Sequence, residues 1–281
     1  MLDAEFERLS LPLADEFTIA RRTQTTAENV VVRITDDAGT TGVGAAAPAT
    51  HYGETAATVE AVLPDLLSVV ESVDDPHAHQ RIERERREVV RDNPAAHAAV
   101  DIALHDLAAK RLKIPLYRQW GLDPDATPKT SYTVGLDSTD RMREKAAEAV
   151  GAGHDVLKVK LGTDRDEEIV AAIREAAPDV RLRVDANEAW TPKQAIRRID
   201  ALEAHDVEFV EQPVPAEDPE GFRHVYERSG LPIAADESCV TLSDVAAVAD
   251  RTDIVNIKLV KCGSIGPSRR LISAARAHGL E

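Results

Sequence analysis

Residues 156–160 read VLKVK, and this short run, which is apolar apart from its lysines, is the first of five that decide the fold. The others are RLRVD at 181–185, VEFVE at 207–211, PIAAD at 232–236 and IVNIK at 254–258. The stretches between them are rich in Ala, Glu and Arg and have helical spacing. Alternating strands and helices predict a parallel sheet. In a (β/α)₈ barrel the C-terminal ends of all strands meet at one rim, where the active site lies.

Each run closes on an ionisable residue, and these residues are expected to converge. They follow one another at intervals of 25, 26, 25 and 22 residues and are Lys160, Asp185, Glu211, Asp236 and Lys258. Carboxylate oxygens are hard ligands suited to Mg²⁺, and three unpaired carboxylates at one rim would repel one another. Any one of the acids alone has an ordinary structural explanation. As a set, Asp185, Glu211 and Asp236 predict one Mg²⁺ site per subunit.

The lysines predict acid–base chemistry at the same rim. Lys158 and Lys160 lie two residues apart on one strand, so their side chains point to the same side. A neighbouring ammonium and partial burial are expected to lower a lysine pKa to roughly 7–8, where the amine takes up a proton at neutral pH. Lys258 would face them across the barrel, and opposed bases fit a 1,1-proton transfer through an enediolate stabilised by Mg²⁺. The alternative for an isolated K-x-K is a solvated pair on an edge strand.

The first part of the chain lacks this regular alternation of strands and helices and is predicted to form a separate α+β domain. Three strands and two helices are expected there, over residues 2–9, 28–35, 41–46, 54–70 and 94–112. A cluster of Pro and Gly residues after the second helix places a domain boundary near residue 125. The expected organisation is therefore an α+β domain at 1–125 and a barrel domain at 126–281.

The barrel domain is expected to be incomplete. Six strands are predicted, at about 131–135, 156–161, 181–185, 207–211, 232–236 and 254–259. A closed barrel needs eight strands, so the barrel appears truncated on its C-terminal side after the sixth, with two unpaired edges. Either the chain is an inactive fragment, or oligomerisation covers the gap, and a homo-oligomer is expected.

Composition excludes several classes of function. A net charge of −16 argues against a nucleic-acid partner, because binding to phosphate backbones requires a basic surface. Neither a membrane span nor a signal peptide is recognisable, so a cytoplasmic protein without a membrane partner is expected. Cys239 and Cys262 have no metal-type spacing and are predicted to be free thiols.

The charged residues leave two interpretations open. Asp and Glu total 50, whereas Lys and Arg total 34, of which only 9 are lysines. Such a surface resembles that of halophilic proteins, in which high ionic strength screens self-repulsion. The other interpretation is an ordinary acidic enzyme.

Five motifs together resemble a known family. They are K-V-K at 158–160, D-A-N at 185–187, E-Q-P at 211–213, D-E-S at 236–238 and N-I-K at 256–258. In this order they resemble the enolase superfamily, muconate-lactonizing subgroup, and within it the L-Ala-D/L-Glu (dipeptide) epimerases. The N-terminal segments 17–34, 42–55 and 99–110 are similar as well. The resemblance implies a capping α+β domain followed by an enolase-type (β/α) barrel.

The resemblance also implies a role for each matching residue. Lys160 and Lys258 would be the two acid/base groups and Lys158 an assisting cation, while Asn187 would support the metal ligands Asp185, Glu211 and Asp236. Arg22 and Tyr52 would line the substrate pocket. Arg22 matches a position that holds the glutamyl carboxylate in some members, a task that suits a bidentate guanidinium. Its alternative is an ordinary surface arginine.

The implied activity is a Mg²⁺-dependent epimerisation of a dipeptide such as Ala-Glu. Two alternatives from the same subgroup share the metal ligands and both lysines, namely o-succinylbenzoate synthase and a muconate-type cycloisomerase. Ala46 departs from the family, which usually carries an acidic residue in that stretch. The D-x-D that normally holds the dipeptide ammonium, at the end of the eighth strand, has no counterpart in the sequence. The dipeptide assignment therefore rests on the capping domain and on the overall likeness.

Overall fold

The structure is a computed structural model that describes all 281 residues. The strands are β1 (Asp3–Ile19), β2 (Arg22–Thr35), β3 (Thr41–Ala46), β4 (Tyr132–Val134), β5 (Val156–Lys160), β6 (Arg181–Asp185), β7 (Val207–Glu211), β8 (Ile233–Ala235) and β9 (Ile254–Val255). The helices are α1 (Ala56–Val73), α2 (His79–Val89), α3 (Pro94–Leu112), α4 (Leu116–Gln119), α5 (Thr139–Gly151), α6 (Asp166–Ala176), α7 (Pro192–Leu202), α8 (Pro219–Tyr226), α9 (Leu242–Val248), α10 (Leu259–Cys262) and α11 (Ile265–Ala277). No helix has the length and apolarity that a bilayer-spanning segment requires.

The chain divides into two compact units, each drawn from several segments. Unit 1 comprises Met1–Pro12, Thr26–Thr127 and Ile257–Ile272, and unit 2 comprises Leu13–Thr25, Pro128–Asn256 and Ser273–Glu281. The tip of the β1–β2 hairpin therefore belongs to unit 2. A division into two continuous domains at residue 125 stays a prediction, and the interleaved segments have no signature in the sequence pattern.

Unit 1 is built on the alternation of apolar residues along β2. Val30, Val32 and Ile34 are fully buried, because alternate side chains of a strand point to the same face. They belong to one core with Leu63 of α1 and Leu104 of α3. β2 lies between β1 and β3 in a three-stranded sheet and pairs antiparallel with β3. The predicted antiparallel sheet with two packed helices is therefore present.

Two glycines of β3 allow α3 to lie directly against this sheet. A Cβ atom at Gly44 would lie 2.0 Å from the carbonyl oxygen of Ala99, and one at Gly42 would lie 2.1 Å from that of Ala103. Both obstacles are helix backbone rather than flexible side chains. A side chain at either glycine would therefore have to displace α3.

Replacement of Gly44 by alanine is expected to lower the free energy of unfolding by about 1–3 kcal/mol, because the extra methyl group overpacks the β3–α3 contact. The matched control is Gly151→Ala in α5, where a Cβ atom meets nothing within 4 Å. That variant is expected to be neutral or stabilised by up to about 1 kcal/mol. Urea unfolding measures the free energy of unfolding of both variants. Equal unfolding midpoints for the two variants would contradict the close approach of α3 to β3.

His97 of α3 is held neutral inside unit 1. Its Nε2 lies 2.8 Å from the carbonyl oxygen of Val90, which only accepts hydrogen bonds, so Nε2 carries the proton. Arg86 Nη1 donates to the His97 carbonyl oxygen at 2.8 Å. Burial, aided by the positive charges of Arg86 and Arg87 and opposed by the Val90 bond and by Glu83, lowers the pKa of His97 to about 4.

This pKa predicts a loss of stability in acid. The pKa of His97 is about 4 when folded and 6.5 in its ordinary state, so the unfolded chain binds more protons between these pH values. The free energy of unfolding is expected to fall as the pH drops through this window, by up to about 1.4 kcal/mol per pH unit from this residue. His97→Gln should flatten that slope, as measured by urea unfolding at pH 7, 6 and 5. An unchanged slope would show that His97 titrates normally in the folded protein.

Unit 2 contains a six-stranded parallel sheet in the order β4 to β9, which confirms the six predicted strands. In the pairing register, Lys160 lies beside Asp185, Asp185 beside Glu211, and Glu211 beside Ala234. The strands are parallel, and a register shift between Leu182 and Val184 brings Asp185 beside Glu211, so the C-terminal residues form one row. The row places one lysine and two carboxylates side by side.

The helices of unit 2 begin at caps that the sequence encodes. Ser138 accepts a hydrogen bond from the Arg141 N–H at the start of α5. Thr191 and Gln194 form a capping box at α7. Such caps satisfy the free N–H groups of the first helical turn. They fix where each helix starts after the loop that follows a strand end.

Three predicted strands differ in length from those observed. One is predicted over 254–259, but β9 ends at Val255. Helix α10 follows from Leu259 to Cys262, and Gly263, with a φ of +90°, stops it. The strands predicted at 2–9 and 28–35 extend into one long hairpin, β1 and β2. Its middle part is largely exposed, and even Leu9 and Leu11 there are 40% and 42% exposed, so no buried face marks the length of the strands.

The outer edge of β9 is partly paired, which corrects the expectation of an open edge there. Val255 N–H donates to the carbonyl oxygen of Glu281 at 2.9 Å, and Glu281 N–H donates to that of Asp253 at 3.0 Å. The backbone of Glu281 therefore satisfies polar groups that a bare edge strand would present to solvent.

Candidate active site

Three buried carboxylates lie together at the C-terminal ends of neighbouring strands. Oxygen atoms of Asp185, Glu211 and Asp236 all lie within 4.8 Å of one another. Asp185 and Glu211 end β6 and β7, and Asp236 directly follows β8. None of the three is more than 3% exposed. Three hard oxygen donors that converge in this way fit a divalent cation such as Mg²⁺.

Two ammonium groups from β5 contact this carboxylate cluster. Lys158 Nζ lies 2.9 Å from Asp185 Oδ2 and 2.6 Å from Glu211 Oε2. Lys160 Nζ donates to Asp185 Oδ2 at 2.6 Å and to Asn187 Oδ1 at 2.9 Å. Alternate residues of a strand point to the same side, so both side chains reach the row of strand ends.

The pKa shifts of the two lysines are opposite in direction. Burial lowers the pKa of Lys160, and the Lys158 ammonium adds to this effect against the attraction of Asp185. Burial also acts to lower the pKa of Lys158, but the carboxylates of Asp185 and Glu211 outweigh it and raise that pKa. The expectation that each ammonium lowers the pKa of the other therefore fails for Lys158, because Lys158 lies between two carboxylates whereas Lys160 contacts one.

The same neighbouring charges shift the pKa values of the carboxylates. Burial acts to raise the pKa of Asp185, but the ammonium groups of Lys158 and Lys160 outweigh it and hold that pKa below its usual range. Burial and the negative charge of Asp185 raise the pKa of Glu211, although Lys158 opposes them. The cluster thus carries negative charge that only neighbouring cations balance.

The loops after β6 and β7 hold their side chains with strained backbone. Asn187, Glu188 and Gln212 have φ values of +45°, +70° and +38°. Such conformations cost about 1–3 kcal/mol each and persist only where the surroundings enforce them. The Gln212 side chain accepts from the N–H groups of Asp236 and Ser238 at 2.9 and 3.1 Å, so it fixes the loop that carries Asp236.

Asn187 and Asn256 connect to the carboxylates directly. The Asn187 N–H donates to Asp185 Oδ1 at 2.9 Å while its side chain accepts from Lys160. Asn256 Nδ2 donates to Glu211 Oε1 at 2.7 Å. These bonds orient two of the three carboxylates.

The sequence pattern assigned no role to Gln212, Glu237 or Asn256, although each lies inside one of the five motifs. Gln212 and Glu237 are 0% and 6% exposed. A polar residue directly after an apolar strand end is the signal that would have found them. What they contact depends on loop conformation, which apolar periodicity does not encode.

The other predicted site residues belong to elements other than the strands that carry the three carboxylates. Arg22 is exposed at the start of β2, in the part of the hairpin that belongs to unit 2. Tyr52 and Lys258 belong to unit 1. Tyr52 lies in a short 3-10 turn with its ring edge-on to that of His51. Lys258 directly precedes α10 with extended backbone. Their roles stay predictions.

Comparison with known protein families gives a match over both parts of the chain. Residues 6–121 match the mandelate racemase / muconate lactonizing enzyme N-terminal domain, and residues 141–281 match the enolase C-terminal domain-like family. The L-Ala-D/L-Glu epimerase of Bacteroides thetaiotaomicron is 39% identical over 272 residues, covering 96% of this chain and 70% of that protein. The hydrophobic dipeptide epimerase of Enterococcus faecalis is 37% identical, covering 96% of this chain and 78% of that protein.

The fold is also shared with solved structures. The crystal structure of a dipeptide epimerase from Enterococcus faecalis V583, complexed with Mg and the dipeptide L-Leu-L-Tyr, superposes with a TM-score of 0.94. It is 35% identical, and the match covers 99% of this chain and 80% of that one. These findings confirm the resemblance seen in the five motifs. The chain belongs to the mandelate racemase/muconate lactonizing enzyme family of the enolase superfamily.

Proposed function

We propose that the protein is a Mg²⁺-dependent dipeptide epimerase, an isomerase that inverts the α-carbon of one residue of a dipeptide. The observation that carries this proposal is the buried Lys160 ammonium beside three clustered carboxylates, in a chain similar to dipeptide epimerases. The synthase and cycloisomerase alternatives are not favoured, because the similar proteins described above are epimerases.

Asp185, Glu211 and Asp236 would hold the Mg²⁺ ion. They fit it because they are buried, anionic and close together, and because Mg²⁺ prefers carboxylate oxygens. When bound, the ion supplies positive charge that stabilises negative charge developing on the substrate carboxylate. Lys158 would stay charged between Asp185 and Glu211 and balance part of their negative charge.

Lys160 would move the proton on one face of the α-carbon. Asp185 and Asn187 hold its Nζ from two sides, so the proton-transferring atom has a fixed position. Lys258 would serve the opposite face, by analogy with the family motif that it completes. A proton removed on one face and returned on the other inverts the configuration, which is what an epimerase requires.

The substrate is proposed to be Ala-Glu or a related dipeptide. Arg22 carries this assignment, because an exposed guanidinium binds a side-chain carboxylate bidentately. Tyr52 would also take part in substrate binding. A dipeptide with apolar side chains is the competing substrate, since one of the similar proteins is a hydrophobic dipeptide epimerase.

The test is solvent exchange at the α-carbon. The protein is incubated with Mg²⁺ in D₂O and either L-Ala-L-Glu or L-Leu-L-Tyr, and the α-proton signals are followed by NMR. Loss of the signal is expected for L-Ala-L-Glu and should stop when EDTA removes the metal. A folded, Mg²⁺-binding protein that exchanges neither dipeptide would refute the proposed epimerisation of these substrates.

We further propose a cytoplasmic location and a homo-oligomeric state. Cys239 and Cys262 are buried and are not joined in a disulfide, which fits a reducing compartment. Light scattering after size-exclusion chromatography measures the oligomeric state directly. A monomer at micromolar concentration would contradict the second proposal.

A further inference from the structure

Arg21 and Arg22 are neighbours at the hairpin tip but have different surroundings. Both residues are exposed, but the guanidinium of Arg21 is bound by three residues of the same unit. Its Nη1 donates to the carbonyl oxygen of Asn187 at 3.1 Å and to Glu188 Oε2 at 2.7 Å. Its Nη2 forms an ion pair with Glu237. The guanidinium of Arg21 is therefore bound by groups of the protein itself.

The residues that Arg21 holds form a strained turn. Asn187 and Glu188 both have left-handed backbone, which side chains rarely adopt. The planar fork of an arginine suits this arrangement, because Nη1 binds both residues of the turn while Nη2 binds Glu237. Glu188 is held further by its Oε1, which accepts from the Ala216 N–H at 2.9 Å. Arg21 thus contributes two bonds that hold the conformation of the turn.

Glu237 connects Arg21 to the side chain of Asn187, because it contacts both. The Glu237 side chain is 1% exposed, and a buried carboxylate without a cation is costly. Its Oε1 also accepts from Asn187 Nδ2 at 3.4 Å. Because the amide nitrogen faces this carboxylate, the amide oxygen faces the opposite way, toward Lys160 Nζ. The pair Arg21–Glu237 therefore selects one of the two possible orientations of the amide.

We propose that Arg21 is a positioning residue for proton transfer, acting through Asn187 on Lys160 and Asp185. The inference rests on the proposed function, since the proton transfer is that of the epimerase reaction. Arg21 fixes the turn and the amide of Asn187, the amide oxygen orients Lys160 Nζ, and the Asn187 N–H orients Asp185. Arg22 has no part in these contacts and stays available to the substrate.

The test is Arg21→Met in the full chain, assayed by α-proton exchange in D₂O. The expected result is a fall in kcat of about 10–100-fold, the range found when a group that orients metal ligands is lost. KM is expected to stay within about 2-fold, because Arg21 binds protein groups rather than substrate. In an Asn187→Ala background the same substitution should lower kcat by less than about 2-fold, because the group through which it acts is already absent.

Metal binding gives a readout that does not depend on turnover. Mn²⁺ affinity, measured by electron paramagnetic resonance without substrate, is expected to fall about 10-fold in Arg21→Met, because the Asn187 bond to Asp185 loosens. If the wild-type chain exchanges no dipeptide, the proposed function fails and the Mn²⁺ titration alone decides the role of Arg21. Arg8→Gln is the control, since it removes an exposed arginine paired with Glu28 on the same hairpin and should change neither readout.

Arg21→Lys covers the case in which Arg21→Met does not fold. It keeps the charge but lacks the planar fork, so an intermediate loss of kcat and of Mn²⁺ affinity is expected. Wild-type kcat and wild-type Mn²⁺ affinity in a folded Arg21 variant would overturn the inference. A raised KM with unchanged kcat would also overturn it, because Arg21 would then act on the substrate.

Discussion

Replacement of Lys160 by methionine is expected to lower the rate of α-proton exchange by about 10²–10⁴-fold for one epimer of the substrate dipeptide. Methionine fills a similar buried volume, so the packing of β5 is retained while the base is lost. Lys160 is 8% exposed and is held by Asp185 and Asn187, so no other residue of β5 takes its position. The exchange of each epimer is measured separately by NMR in D₂O.

The two-base mechanism adds a stereochemical condition to this result. With Lys160 absent, the other epimer should still exchange its α-proton through Lys258, although it can no longer be converted. Lys258→Met should show the opposite preference. Lys129→Met is the control, because Lys129 forms an exposed ion pair with Asp155 and should leave both rates unchanged. Equal loss of exchange for both epimers in each variant would contradict two opposed bases.

Replacement of Asp185 by asparagine is expected to have the largest effect on stability and to abolish the metal site. Asp185 is fully buried and contacts the ammonium groups of both Lys158 and Lys160. Removing one partner of a buried ion pair costs about 3–5 kcal/mol, because the remaining charge is left uncompensated. The free energy of unfolding in urea, without added metal, should fall by this amount, and Mn²⁺ titration should show no saturable binding.

Glu208→Gln is a matched control for the loss of a carboxylate in the same sheet. Glu208 lies on β7, is about one third exposed (35%) and pairs with Arg183 at 2.5 Å. A partly exposed pair of this kind contributes about 0–1 kcal/mol. Metal binding should be unaffected. If Asp185→Asn and Glu208→Gln had equal stabilities, the buried charge cluster would have no special role.

The row of strand ends is predictable from the sequence because regularly spaced apolar runs and regularly spaced ionisable residues coincide there. Apolar runs define β5 to β8, and each is closed or directly followed by an ionisable residue, so parallel pairing predicts that Lys160, Asp185 and Glu211 lie near one another. The register shift that brings Asp185 beside Glu211 is not predictable in this way. The opposite pKa shifts of Lys158 and Lys160 cannot be predicted from the sequence pattern. They depend on how many carboxylates each ammonium meets in space.

Other parts of the fold lack a readable signal. Helix α2 reads HQRIERERREV and buries only Ile82 and Arg86, so it has no apolar face from which to predict it. The hairpin tip is exposed and carries no apolar alternation. Gln212 and Glu237 act through loops with specific backbone angles, and φ values of this kind leave no periodic trace in the sequence. The predictable elements are thus those in which buried residues recur at regular intervals along the sequence.

The assignment of the hairpin tip to unit 2 has a consequence for how the chain folds. Arg21 and Glu237 are 216 residues apart in sequence, and Thr18 accepts a backbone bond from Leu136. During synthesis the tip emerges long before the strands that it contacts, so these contacts close late and raise the contact order. A segment expressed from Pro128 onward would lack the tip and with it Arg21. Separate expression of the two halves of the chain should therefore yield neither unit intact.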